Sequence, residues 1–136
     1  MSPSASRLTR CVNILRECLP ALQAVYLFGS QASGQHETSS DVDLAILLPA
    51  PLDAYQRWEL AERVAELLNR DVDLVDLRCA STVMQHQVVE HGRRLWSGGT
   101  VADEFELTAL SEYWDLAILR HDLLDDIQQR GSIHGR

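Results

Sequence analysis

Two runs constrain this chain more than any other feature: DVDLAILL at residues 41–48 and DVDLVDL at residues 71–77. The first is almost continuously apolar, the pattern of a strand covered on both faces. Such a strand needs helices on each side of its sheet, which limits the chain to a layered α/β or α+β arrangement. Yet each run opens with Asp-x-Asp. Residues two apart in a strand point to the same face, ~6.6–6.8 Å apart along it. Asp41 and Asp43 therefore project together. Like charges on one face repel unless a cation joins them or one is protonated.

In DVDLVDL, Asp71, Asp73 and Val75 share one face, and Val72, Leu74 and Asp76 share the other. If this run pairs beside 41–48, a third carboxylate arrives about 4.8 Å away. Mg2+ suits such a place, because it takes oxygen ligands and uses one or two carboxylates plus substrate phosphates. Three converging carboxylates can hold two divalent ions, which clamp the attacking and leaving oxygens of a phosphoryl or nucleotidyl transfer. One of the three can also act as general base toward an attacking hydroxyl.

The stretch before the first run supplies the other half of a site. Residues 23–28, QAVYLF, read as a short strand that ends at Gly29-Ser30. Glycine there lets the backbone turn and a bulky anion approach. A helical turn beginning at Ser30 would aim free N–H groups and a hydroxyl at that anion, such as the triphosphate end of a nucleotide.

The rest of the chain reads as support. Residues 6–19 are a helix stopped by Pro20, with Leu8, Cys11, Val12, Leu15, Cys18 and Leu19 at helical spacing. Residues 31–40 are polar and form a loop or one helical turn. Residues 53–69 are a helix capped by Asp53, with Gln56 in a capping-box position. Residues 81–91 are a helix ended by Gly92, residues 93–96 a short edge strand, and Gly98-Gly99 a turn. A long helix occupies 101–130. The expected whole is one domain over residues 1–136, with a small mixed sheet flanked by helices. Its core spans about 6–97 and a long C-terminal helix about 101–130.

Composition narrows the function. The chain has 136 residues, 46% of them hydrophobic, enough for a core without staples. Twenty acidic against 12 basic side chains give a net charge of −8. That balance argues against direct nucleic-acid binding and against an anionic membrane surface. Cys11, Cys18 and Cys79 contain no CxxC pair, so they predict buried free thiols in a reducing compartment rather than disulfides or zinc ligands. The N-terminus lacks the apolar core of a signal peptide, and no apolar run approaches the ~20 residues of a membrane span. The expected location is the cytoplasm. His86 and His91, five apart on one helix, do not read as a metal pair.

The composite GSQASGQHETSSDVDL, followed by a later acidic strand, resembles the nucleotidyltransferase signature of the DNA polymerase β superfamily. The arrangement over residues 10–97 is similar to the minimal nucleotidyltransferase family, with residues 100–136 matching least specifically. That resemblance implies an antitoxin paired with a HEPN-domain ribonuclease toxin. It would transfer AMP from ATP to a tyrosine of the toxin. By motif position, Gly29 and Ser30 would bind the nucleotide phosphates, and Asp41 and Asp43 the metals. Asp73, within a Val-Asp-Leu-Val match, would be the third, metal-binding and base-like carboxylate. Ser33 is a departure, because the family often has arginine there, and a cation that steadies phosphates is missing. His36, in the same loop, reads as a solvated histidine. Two alternatives remain at this level: an antitoxin that acts by binding alone, and a small-molecule (antibiotic) nucleotidyltransferase.

The last helix carries apolar residues on two sides. Leu107, Leu110, Trp114 and Ala117 follow helical spacing on one, and Leu116, Leu119 and Leu123 lie on another. That is more than a small sheet needs, so one side is expected to meet the toxin or a second copy. Asp115, Asp122, Asp125 and Asp126 give the helix an acidic surface, suited to a basic partner.

Overall fold

The computed structural model describes residues 5–29 and 41–134. Four strands form one sheet: β1 (Ala24–Phe28), β2 (Val42–Leu47), β3 (Val72–Asp76) and β4 (Arg93–Ser97). Their order is β3-β2-β1-β4. β1 runs antiparallel to both β2 and β4, whereas β2 and β3 are parallel. The sheet is therefore mixed, as expected. Parallel neighbours need a crossover, and α2 (Ala54–Leu68) provides it.

Helices cover both faces. On one face, α1 (Ala5–Cys18) and α2 bury Leu8, Cys11, Leu15, Leu60 and Val64 against Val25, Leu27, Val42, Leu44, Ile46 and Leu74. On the other, α3 (Thr82–His91) and α4 (Val101–His134) place Val88 and Ala102 over Ala24, Tyr26, Ala45 and Leu47. β2 sits between these two cores, which explains its unbroken apolar run. Its odd-numbered residues face α3 and α4; its even-numbered ones face α1 and α2.

Local signals set the ends of the helices. The Asp53 carboxylate accepts from the Gln56 N–H at 3.2 Å, capping α2. Asn69 closes α2 in a left-handed conformation, φ 55°, a role that suits asparagine. Ser81 caps α3 by accepting from the Met84 N–H at 3.1 Å.

Three expectations need correction. The run 71–77 does not stay extended: β3 ends at Asp76, and Leu77–Cys79 form a 3-10 turn. The C-terminal helix continues past 130 to His134. Not all the thiols are buried: Cys11 is, Cys18 is half-buried, and Cys79 is exposed. Burial pushes the Cys11 thiol up to about 11, so that sulfur is an inert core atom. No helix among the described residues is long and apolar enough to cross a membrane.

One tie fixes α4 to the sheet. The Tyr26 hydroxyl, in the core of β1, donates to Glu106 Oε2 at 2.6 Å. Arg94 on β4 bridges the same carboxylate at 3.1 Å and Asp103 at 2.8 Å. Burial, then the Glu106 carboxylate, holds the phenol protonated far above its ordinary range. Tyr26 therefore keeps its proton and donates it to Glu106.

Candidate active site

The parallel pairing of β2 with β3 sets Asp43 directly beside Asp73. Register partners in a sheet present their side chains to the same face, so the two carboxylates share the α3/α4 side. Asp41, two residues before Asp43, points the same way at the strand's entrance. All three stand at one end of the sheet, where the covering helices leave Asp41 and Asp73 exposed and Asp43 half-buried. Burial pushes the Asp43 carboxyl above the usual carboxylate range, and the negative charges of Asp73 and then Asp41 push it further the same way. Placing a negative charge on Asp43 therefore works against both its burial and its neighbours.

Gly29 completes this end. It follows β1, whose last residue, Phe28, is the antiparallel partner of Asp43. Gly29 adopts φ +76°, and a Cβ built on it would collide with Asp43 Oδ2. Glycine is needed there twice over: for the left-handed backbone, and for the closeness of the carboxylate. Ser30, Ser33, Gly34 and His36 lie outside the described residues.

The other aspartates of DVDLVDL separate cleanly. Asp71 lies just before β3 and uses its backbone carbonyl to accept the Val42 N–H at 2.9 Å. Asp76 is 7% exposed and faces away from Asp73. Its Oδ2 accepts the Leu52 N–H at 2.9 Å, which pins the β2–α2 connection. This carboxylate is structural.

His86 and His91 have their rings edge-to-face with centroids 6.3 Å apart, and His86 stacks on Tyr113 of α4 at 3.6 Å. That contact joins α3 to α4.

Among the described residues, no three His, Cys, Asp or Glu side chains form a ready-made metal cage. The chemistry of the donors nonetheless fits a hard cation. The cluster is oxygen-only, carries one charge sign, and raises the pKa of its inner member.

Residues 10–99 match the polymerase beta nucleotidyltransferase family. The chain belongs to this family. A protein adenylyltransferase MntA from Shewanella oneidensis is 44% identical over 120 residues, covering 87% of this chain and 85% of that protein. A crystal structure of a toxin-antitoxin with AMP-PNP superposes with a TM-score of 0.78 at 40% identity, covering 92% of this chain and 98% of that one. A tri-AMPylated Shewanella oneidensis HEPN toxin in complex with an MNT antitoxin gives a TM-score of 0.74 at 39% identity, covering 90% and 96%. The nucleotidyltransferase fold expected from the sequence is therefore the fold of the chain, and its long C-terminal helix belongs to it.

Proposed function

We propose that this chain is an antitoxin enzyme that transfers AMP from ATP to a hydroxyl, a tyrosine by preference, on a cognate HEPN-domain ribonuclease toxin. The observation that carries the reading is the shared face of Asp43 and Asp73, with Asp41 beside them and Gly29 against the Asp43 carboxylate. The relatives that bind AMP-PNP or accompany an AMPylated toxin support the same reading.

Asp41, Asp43 and Asp73 would hold Mg2+. The ion, when bound, neutralises phosphate charge as a Lewis acid. The chain's own residues do the rest. Gly29, without a side chain, admits the phosphates against the end of β1, and Ser30 adds a hydroxyl donor. Asp73, the more exposed of the β2–β3 pair, accepts the proton of the attacking hydroxyl. The oxygen then bonds to the α-phosphorus, the bond from that phosphorus to the pyrophosphate oxygen breaks, and pyrophosphate leaves. The working unit is the whole span 1–136, acting in the cytoplasm, where ATP is supplied and the free thiols stay reduced.

Incubation with the product of the adjacent gene, ATP and Mg2+, followed by intact-mass measurement, tests the proposal. The expected result is one or more AMP additions to the toxin. A toxin that is neutralised at unchanged mass would replace the transfer reading with neutralisation by binding alone.

A further inference from the structure

The end of the sheet that holds Asp41, Asp43 and Asp73 is crowded with negative charge. Three carboxylates gather there, on a chain whose net charge is −8, and a triphosphate adds more of the same sign. A cation from the chain itself would offset part of it. All 12 basic side chains are arginines, whose planar fork can grip two phosphate oxygens at once.

Two neighbouring arginines on β4 meet opposite fates. Arg94 is the partner of Tyr26 and points to the α3/α4 face, where Asp103 and Glu106 hold it at 2.8 and 3.1 Å. Arg93 is the partner of Leu27, which packs on the α1 side. Arg93 is exposed, and among the described residues it makes no ion pair. The groove beside it, between α1 and β4, is lined by Thr9, Asn13 and Arg16 and by no acidic side chain among the described residues. Nothing there competes for the guanidinium.

Register brings this arginine to the site. Its rung on β1 is Leu27, two residues before Gly29. Two residues along a strand span ~6.7 Å and adjacent strands lie ~4.8 Å apart, which puts the Arg93 and Gly29 Cα atoms ~8 Å from each other. The preceding residue is held just as closely. A Cβ built on Gly92 would lie 3.0 Å from the Leu27 carbonyl oxygen and 3.3 Å from Phe28 Cβ, and Phe28 is the partner of Asp43. A phosphate set against Gly29 is thus within reach of a long arginine side chain.

The difference in face explains why the guanidinium stays available. An arginine among the carboxylates would pair with them, as Arg94 pairs with Asp103 and Glu106. Arg93 leaves the sheet on the face opposite Asp43 and Asp73, so it can meet their side of the molecule only around the end of β1.

We propose that Arg93 is a phosphate-binding residue: its guanidinium reaches over the end of β1 to the β- and γ-phosphates of ATP, from the face opposite Asp43 and Asp73. This rests on the reading that ATP is the nucleotide and that its phosphates lie against Gly29. The two phosphates it grips are those that leave as pyrophosphate, so the same contact steadies the leaving group.

Binding is measured first, on the full chain with Mg2+ and without toxin, using ATP, inorganic triphosphate and AMP as probes. Calorimetry should show Arg93→Gln binding ATP and triphosphate at least ~10-fold more weakly, the scale of a lost charge-assisted hydrogen bond, with AMP affinity within about twofold of wild type. Arg93→Lys should recover part of the loss, since it keeps the charge and gives up the fork. Arg70→Gln removes an arginine just before β3, on the other flank of the same end, and should shift triphosphate affinity by no more than about twofold. With toxin present, Arg93→Gln should raise the KM for ATP and leave the KM for toxin unchanged. Unchanged triphosphate affinity in Arg93→Gln overturns the proposal. So does an equal loss for AMP, the sign of a disturbed site, or an equal loss in Arg70→Gln, the sign of a long-range field. A wild type that binds neither ATP nor triphosphate removes the phosphate site and the role of Arg93 with it. A wild type that binds both yet adds no AMP to the toxin refutes the transfer reading alone, and the Arg93 comparison still decides the contact.

Discussion

Asp43 and Asp73 are register partners on adjacent parallel strands, so two carboxylates separated by thirty positions in the chain meet on one face of the sheet. The first consequence concerns stability. Asp43 has its pKa raised, by burial first and then by Asp73 and Asp41. Its ionised form is therefore less favourable in the folded state than in the unfolded one. That group favours folding below its unfolded pKa, and the contribution disappears as pH rises through the folded pKa. At pH 7 without metal, Asp43→Asn should melt higher than wild type, and the difference should shrink as pH falls into the carboxylate range. The same variant should lose transfer at least ~100-fold, because it removes a metal ligand. Thermal melts in EDTA at pH 7 and pH 4 check the first claim; a lower melting temperature for the variant at pH 7 sinks it.

The three acidic positions of DVDLVDL should behave differently. Asp73→Asn is expected to slow the chemical step at least ~100-fold, the low end for a lost general base, with a much smaller change in ATP binding. Asp71→Asn should stay within a few-fold, since the contact seen there uses the backbone carbonyl. Asp76→Ala should also stay active yet cost about 1–3 kcal/mol of stability, because it orphans the Leu52 N–H. Single-turnover rates and denaturant titrations decide this. A dead Asp71→Asn beside an active Asp73→Asn would relocate the third ligand by one face position.

Tyr26→Phe probes the tie between sheet and helix. It removes the 2.6 Å donation to Glu106 but leaves Arg94 to hold that carboxylate. A loss of about 1.5–3 kcal/mol is expected, as for a hydrogen bond to a charged group, with transfer activity intact. A loss of activity larger than the loss of stability would mean that the placement of α4 affects catalysis.

The sequence exposed the layered sheet because β2 lies between two cores and so shows no polar face. It could not show that β2 and β3 are neighbours; only the crossover through α2 makes Asp43 and Asp73 partners. It also concealed the turn at Leu77, because that buried leucine prolongs the apolar pattern of β3 beyond the point where the backbone bends. The long helix expected over about 101–130 is present, and it runs on to His134 because one glycine, Gly131, weakens a helix without breaking it. Spacing alone showed that α4 has two apolar sides. Their fate depended on its length relative to the sheet, and Trp114 proves 59% exposed rather than core. Long-range ties such as Tyr26 to Glu106, 80 residues apart, have no local signal.

Gly29 gives the last prediction, because two separate costs attach to any side chain there. Its φ of +76° is strained for an L-residue, and a Cβ would meet Asp43 Oδ2. Gly29→Ala should therefore destabilise the protein by about 1–2 kcal/mol from backbone strain alone, plus whatever the displaced carboxylate adds. It should also reduce transfer, because Asp43 must move to make room. A double-mutant cycle separates the two costs. In an Asp43→Ala background the collision disappears and the strain remains, so Gly29→Ala should cost less there than in wild type. Equal costs in both backgrounds would show that Gly29 is kept for its backbone conformation alone and that the closeness to Asp43 has no energetic weight.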